Sequence, residues 1–232
     1  MIRFADDQET DGIFDLLSSV DSIFKEGGSL EKVLEFEYRP EQHEMANAMV
    51  RSLSDNRHLL FEAGTGVGKS LAYLIPSVLF AMTTKRPCVV ATNTISLQEQ
   101  LLNKDIPSVR TLFETVPELY DFQGFRCALL VGRANYLCTN RLHRALNGQG
   151  ELFEGKQRRE LERIAKWASS KAVEGIRQEL SPLPMGAVWD AVSADSSLCS
   201  SKKCKPESCF YRRARSEGGE SNLVIVNHSL LF

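Results

Sequence analysis

The chain of 232 residues has no long apolar run. Its longest, Leu71 to Met82, is too short to span a bilayer and contains Pro76, so neither a membrane span nor a membrane partner is expected. The first residues lack the basic flank and apolar core of a signal peptide, so export is not expected and a cytoplasmic location is. In that reducing compartment the six cysteines point to metal or cluster ligation ahead of disulfides. No internal repeat and no low-complexity tract is visible, which excludes a solenoid.

What is present is ordinary in bulk and uneven in detail. A hydrophobic share of 43% and a charged share of 25% fit a globular protein of one or two domains with a real core. The net charge of −2 hides an asymmetry. Residues 1–37 hold ten Asp or Glu against three Lys or Arg, and read as a solvated helical extension. Lys202, Lys203, Lys205, Arg212, Arg213 and Arg215 make a basic segment with Glu207 alone against it, a candidate surface for phosphate-rich partners or a solvated face.

Strands alternate with helices. Leu59–Glu62, Cys88–Thr92, Leu129–Val131 and Leu223–Asn227 read as short buried strands. Glu41–Ser52, Ser70–Met82 and a segment beginning at Ser96 read as helices. The order predicts an α/β fold with a mostly parallel sheet. Gln157–Leu180 reads as one further helix, its Leu161, Ile164, Ala165, Ala168, Val173 and Ile176 forming a core-facing stripe.

The most specific stretch is Phe61–Ser70, FEAGTGVGKS, a glycine-rich loop between an apolar run and a helix bearing Leu71, Leu74, Val78 and Leu79. Glycines let the backbone turn tightly and bring its N–H groups against phosphate oxygens. Residues Ala63, Gly64, Thr65, Gly66, Val67 and Gly68 would form the cradle. Lys69 would reach the β- and γ-phosphates and Ser70 would hold Mg²⁺ at the positive end of its helix. Lys69 and Ser70 are therefore the candidate catalytic pair, with ATP and Mg²⁺ as ligands. Ala63 stands where the general pattern has glycine.

Cys138, Cys199, Cys204 and Cys209 could close a four-thiolate site around an insertion. Tetrahedral thiolate ligation suits zinc or an iron–sulfur cluster equally, although zinc ligands usually come as two close pairs. Cys88 reads as a small core residue, Cys127 has no assignment, and His143 reads as a bystander.

With these residues in place the chain resembles the DinG-type branch of the iron–sulfur superfamily-two DNA helicases, the branch that also contains XPD. Tyr38-Arg39-Pro40-Glu41-Gln42 resembles the adenine-sensing Q motif. Glu62–Ser70 resembles motif I, where this superfamily commonly has alanine at the first position. Ala91–Leu101 resembles motif Ia, Gly132–Cys138 the entry to the cluster domain, and Asn227–Leu231 the segment that follows it. The resemblance implies that Arg39 and Gln42 serve the base, that the four cysteines hold a 4Fe-4S cluster, and that Thr92, Asn93, Thr94, Gln98, Arg133, Asn135 and Tyr136 contact DNA. Phe210 or Tyr211 would stack on a base or pack around the cluster. It implies an acidic lead-in over 1–37 and the first part of a RecA-like ATP-binding domain over 38–131. A small, mostly helical cluster insertion would cover 132–215, and a return strand of the RecA-like domain 216–232.

No apolar strand ends in Asp-Glu, the carboxylate pair that holds Mg²⁺ and positions water for hydrolysis. In the family that box, and the second RecA-like domain with its arginine finger, come later. The expectation is therefore an incomplete helicase: a portion binding ATP, cluster and single-stranded or forked DNA, a monomer, and inactive alone. The intact family member would couple ATP hydrolysis to 5′-to-3′ movement on single-stranded DNA in repair or replication. Two rivals are a truncated nucleotide- and DNA-binding module without unwinding, and a small phosphate-loop kinase with a zinc staple, for which no acceptor site is visible.

Overall fold

The structure, a computed structural model, describes residues 7–148, 153–170, 173–199, 204 and 208–231. Three strands, β1 (Cys88–Thr92), β2 (Cys127–Leu130) and β3 (Leu223–Asn227), form one parallel sheet in the order β1-β3-β2. Eleven helices of the α type accompany them among the described residues, so the fold class is α/β. No described helix is long and apolar enough to cross a membrane. The contacts divide the chain into two compact units, one reaching Cys127 and including Ser221–Ile225, the other Ala128–Glu220 with Val226–Phe232.

In the first unit, α1 (Asp7–Phe24) and α2 (Ser29–Leu34) precede α3 (Pro40–Ser54) and α4 (Lys69–Thr84). The acidic lead-in is more than a solvated extension. Leu16, Val20, Ile23 and Phe24 of α1 are buried, and α1 packs on α3 and α4. Asp21, exposed on α1, meets His43 of α3 at 2.8 Å. Helix α4 is buried almost all round from Leu71 to Ala81, rather than being amphipathic; only Tyr73 is half-exposed there. Its apolar side chains face neighbours on several sides, and Pro76 lies in mid-helix.

Cys88–Thr92 and Leu223–Asn227 are strands with the bounds expected, and β2 begins two residues before the predicted Leu129. Leu59–Glu62 is the exception. Residues 57–64 form no strand; Leu59 is 40% exposed and Leu60 fully so. An apolar run becomes a strand only when a ladder partner takes its N–H and C=O groups, and no described strand pairs with it. Strand β1 is likewise less buried than expected, with Val89 52% exposed.

The second unit holds α7 (Thr139–Leu146), α8 (Gly155–Ala168), α9 (Gly186–Val192), α10 (Phe210–Gly219) and the short α11 (His228–Leu231). The helix predicted over Gln157–Leu180 stops at Ala168. Beyond it Gly175 takes φ +79°, and Ile176 pairs with Tyr136 in an isolated antiparallel bridge. Leu161 and Ile164 are buried as the stripe required, in a core with Leu137, Leu142, Val188, Trp189 and Val192. Ile176 instead joins a second cluster with Val131, Tyr136, Ala194 and Ala214. A Cβ on Gly175 would lie 2.1 Å from Phe210, so the turn is closed by an aromatic ring where a side chain would stand.

Candidate functional site

The phosphate loop leaves α3 by an exposed stretch and ends at Gly68, the residue before α4. Gly66 (φ +85°) and Gly68 (φ +77°) occupy the left-handed region, which L side chains adopt only at a cost. Lys69 opens α4, and its ammonium donates to the loop carbonyls of Ala63 (2.9 Å) and Gly64 (2.6 Å). Ala63 fits without strain, its carbonyl being the group the loop uses. The half-buried Ser70 follows, three positions before Tyr73 on the same helix. Burial pushes the Tyr73 phenol up, against the hydrogen bond from Ser70.

Gln42 on α3 is buried and donates from Nε2 to the Gly68 carbonyl at 2.8 Å. The residue expected to read a base edge thus also clamps the end of the loop. Arg39, Gln42, Gly66, Gly68, Lys69 and Ser70 line one cavity of about 380 Å³, which puts the Q-like segment and the loop at one site. Gly64 and Thr65 are exposed and Val67 is half-buried.

Of three further residues of that cavity, Gln100 lay within the motif Ia stretch, whereas Lys104 and Asp105 gave no sequence signal of a site. They lie where α5 (Ile95–Gln100) runs into α6 (Ile106–Thr115) through a π-helical turn, Leu101–Asp105. The Ile106 N–H reaches the Leu101 carbonyl, five residues back. Pro107, which has no N–H and whose ring would strike the carbonyl four residues back, is a sufficient local cause. A proline inside a helical pattern was the one available clue.

The segment expected to touch DNA is split between surface and interior. Thr94 caps α5, accepting from the Leu97 N–H at 3.3 Å, and Asn93 is exposed. Thr92 is buried, its hydroxyl donating to the Thr94 carbonyl at 3.2 Å, and Gln98 is buried with its Nε2 unpartnered. In the second unit, Tyr136 is fully buried and its hydroxyl accepts from the Val131 N–H at 3.2 Å. Asn135 is half-buried and accepts from Gln178 Nε2 at 3.5 Å. Arg133 donates to the Tyr211 hydroxyl at 3.2 Å and lies 4.5 Å from that ring's centroid.

Phe210 and Tyr211 both pack. Phe210 sits against the Gly175 turn, and Tyr211 makes an edge contact with Tyr136 at 5.6 Å. Burial pushes the Tyr211 phenol up, but hydrogen bonds from Arg215 and Arg133 outweigh it and hold it below the ordinary value. Of the basic segment, Lys202, Lys203 and Lys205 lie outside the described residues.

The four cysteines come together, all reduced and half-buried. Cys199, Cys204 and Cys209 line a cavity of about 320 Å³ with Arg133, Arg212 and Arg215. Burial pushes the Cys204 thiol up, and the charges of Cys209, Cys138 and Cys199 push it further. Three of these four cysteines have a local tether. The Cys138 N–H donates to the Val192 carbonyl (2.8 Å) and the Cys199 N–H to the Asp195 carbonyl (3.0 Å). Asn140 Nδ2 approaches Cys204 Sγ at 3.6 Å. Among the described residues no group of three or more His, Cys, Asp or Glu is set to hold a single metal ion. Cys127 lies apart on β2, its thiol pushed up to about 11 by burial, and Cys88 is half-buried on β1. His143 is exposed on α7 beside Asn147.

No family model matches the chain. Individual proteins do. It is 38% identical over 205 residues to the ATP-dependent helicase DinG of Mycobacterium tuberculosis, covering 82% of this chain and 30% of that protein. It is 32% identical over 220 residues to the ATP-dependent DNA helicase YoaA of Haemophilus influenzae, covering 94% and 32%. A protein of Bacillus subtilis named 3′-5′ exonuclease DinG is 29% identical over 197 residues, 85% of this chain and 20% of its own length. The chain therefore spans about a third or less of the curated relatives it matches. Phosphate loop, glutamine clamp and converging cysteines occur together with this similarity along most of the chain, which belongs to the DinG-type helicase family.

Proposed function

We propose that this chain is the ATP-binding and iron–sulfur portion of a DNA helicase that couples ATP hydrolysis to translocation on single-stranded DNA and duplex unwinding. The observation that carries the reading is the clamp of Gln42 on Gly68, which joins a base-side glutamine to a phosphate loop ending in Lys69 and Ser70. In ATP binding the loop N–H groups and the N-terminus of α4 receive the phosphates. The Lys69 ammonium exchanges its contacts to Ala63 and Gly64 for phosphate oxygens. Ser70 is the residue that would hold Mg²⁺, which offsets charge on the triphosphate. Replacing Lys69 with alanine removes a charge-assisted contact worth roughly 1.5–3 kcal/mol, and binding of a fluorescent ATP analogue should weaken about 10- to 100-fold. Unchanged affinity would overturn the site.

The four cysteines would hold a 4Fe-4S cluster. A single zinc ion with Zn–S bonds near 2.3 Å needs its four sulfurs about 3.8 Å apart, whereas a cluster gives each thiolate its own iron and spreads them further. Cys199, Cys204 and Cys209 share one cavity of about 320 Å³, which leaves room between them for a cluster. When bound, the cluster staples the chain ends around the insertion, and the thiols must first lose their protons. Anaerobic purification should give iron and sulfide in equal amounts, both lost in Cys204→Ser. Zinc alone would reject the cluster.

In the first unit the exposed Asn93 and Thr94 would contact DNA; in the second, Arg133, Arg212 and Arg215 offer phosphate contacts of their own. Thr92, Gln98 and Tyr136 would act from behind by supporting those residues. Among the described residues no strand ends in Asp-Glu: the three end in Thr92, Leu130 and Asn227. The chain by itself is therefore expected to bind without turnover. DNA-stimulated ATP hydrolysis by the purified chain, abolished in Lys69→Ala, would refute that.

A further inference from the structure

Asn140 aims an amide at a cysteine sulfur, its Nδ2 lying 3.6 Å from Cys204 Sγ. It stands in the first turn of α7, two positions after Cys138, and is exposed. The same turn reaches a third cysteine segment. The Thr139 hydroxyl donates at 2.9 Å to the carbonyl of Ser208, the residue before Cys209. From α10, Arg212 donates from Nη1 to the Cys204 carbonyl at 2.5 Å. Cys204 is thus held at its sulfur by one residue and at its carbonyl by another, neither of which is a thiol. Arg133, Arg212 and Arg215 line the cavity that Cys199, Cys204 and Cys209 share.

A thiolate that ligates iron can only accept a hydrogen bond, so it is Nδ2 and not Oδ1 of an asparagine that must face it. An iron–sulfur cluster supplies a one-electron couple, and its potential is set in part by hydrogen bonds to the sulfurs and by nearby charge. A donor binds a more negative acceptor more strongly, so it favours the reduced form over the oxidised one. We propose that Asn140 is a positioning residue of the thiolate site that raises the reduction potential by donating from Nδ2 to the Cys204 thiolate. The three arginines of the cavity act with the same sign, since positive charge also favours the added electron. Arg212 serves twice, because its bond to the Cys204 carbonyl keeps the sulfur in reach of Asn140. The inference rests on the cluster reading above.

The test is a dye-mediated redox titration of the anaerobically purified chain, read by electron paramagnetic resonance, with iron content measured alongside. Asn140→Leu keeps the size and loses the donor. At the wild-type midpoint its ratio of reduced to oxidised form should fall about fivefold, or about 40 mV at 59 mV per tenfold for one electron. Asn140→Asp puts a carboxylate where the donor stood and should fall at least as far. Because Asn140 is exposed, both variants should fold and keep their iron. A residue that merely props up the Cys204 segment would lower iron content and leave the potential of the remaining clusters alone. A ratio within about twofold of wild type in either iron-loaded variant, or a midpoint that rises, overturns the role of Asn140 and leaves the cluster standing. Loss of iron from both variants overturns it too, assigning Asn140 to holding Cys204 in place. A wild-type chain that carries zinc or no iron overturns the cluster reading, and this one with it.

Discussion

Alanine at position 68 is expected to abolish measurable nucleotide binding while leaving the chain folded. Gly68 has φ +77°, and an L side chain in that region costs about 1–2 kcal/mol. The added Cβ would also lie 2.3 Å from Gln42 Nε2. Gln42 is on a buried turn of α3 and cannot retreat without giving up its 2.8 Å bond to the Gly68 carbonyl, worth about another 1 kcal/mol. The loop escapes both costs by taking a different path just before Lys69, and binding must then restore the original one. With a further contribution from misdirected loop N–H groups the deficit reaches about 3 kcal/mol, more than a hundredfold in affinity. The double variant Gly68→Ala with Gln42→Ala should recover only part, since it removes the clash and not the backbone strain. Isothermal titration with ATP checks both, and Gly68→Ala binding within about threefold of wild type would disprove the clamp.

That a loop, a base-side glutamine and four cysteines were legible in the sequence, while Asp105 and the clamp of Gln42 on Gly68 were not, has a physical basis. The phosphate loop is a local object: glycines, lysine and serine act within ten residues, so spacing alone specifies them. Cys88–Thr92 and Leu223–Asn227 were legible for a similar reason, each a short apolar run with a sharp boundary (Pro87 before one, Asn227 closing the other). Leu59–Glu62 carries the same local signal and forms no strand, because a strand is completed by a partner the run itself does not contain. The overlong helix at Gln157–Leu180 failed differently. Val173 and Ile176 continue the apolar period by coincidence, but Gly175 takes a left-handed conformation that Phe210, 35 positions on (210 − 175), packs against. Pairs such as Arg133 with Tyr211, 78 residues apart, and Arg141 with Ser193, 52 apart, exist only in three dimensions. The π turn adds a second obstacle, since it breaks the 3.6-residue period on which a helical reading depends.

The second large effect is expected at Trp189, far from the phosphate loop in sequence and in the other unit. Its ring is 1% exposed among Leu137, Leu142, Leu161, Ile164, Val188 and Val192, and Nε1 donates to the Ala134 carbonyl at 2.8 Å. Trp189→Ala leaves a cavity of a size that costs about 3–5 kcal/mol, and it strips Ala134 of its donor. With a urea slope of about 2 kcal/mol/M the midpoint should fall by roughly 1.5–2.5 M. Trp189→Phe, which keeps most of the volume and loses the hydrogen bond, should fall by roughly 0.5–1 M. The consequence reaches the thiols. Cys138 follows Leu137 directly, and its N–H is held by the carbonyl of Val192, so both anchors of this cysteine belong to the core that Trp189 fills. Arg141 ties α7 to the end of α9 through the carbonyls of Ser193 (2.6 Å) and Asp190 (2.7 Å), and would be loosened with it. Loss of the tryptophan should thus release Cys138 from Cys199, Cys204 and Cys209, and under the cluster reading proposed above iron content should drop together with the urea midpoint. Full iron occupancy in a Trp189→Ala chain whose midpoint has fallen would mean that Cys138 does not depend on this core.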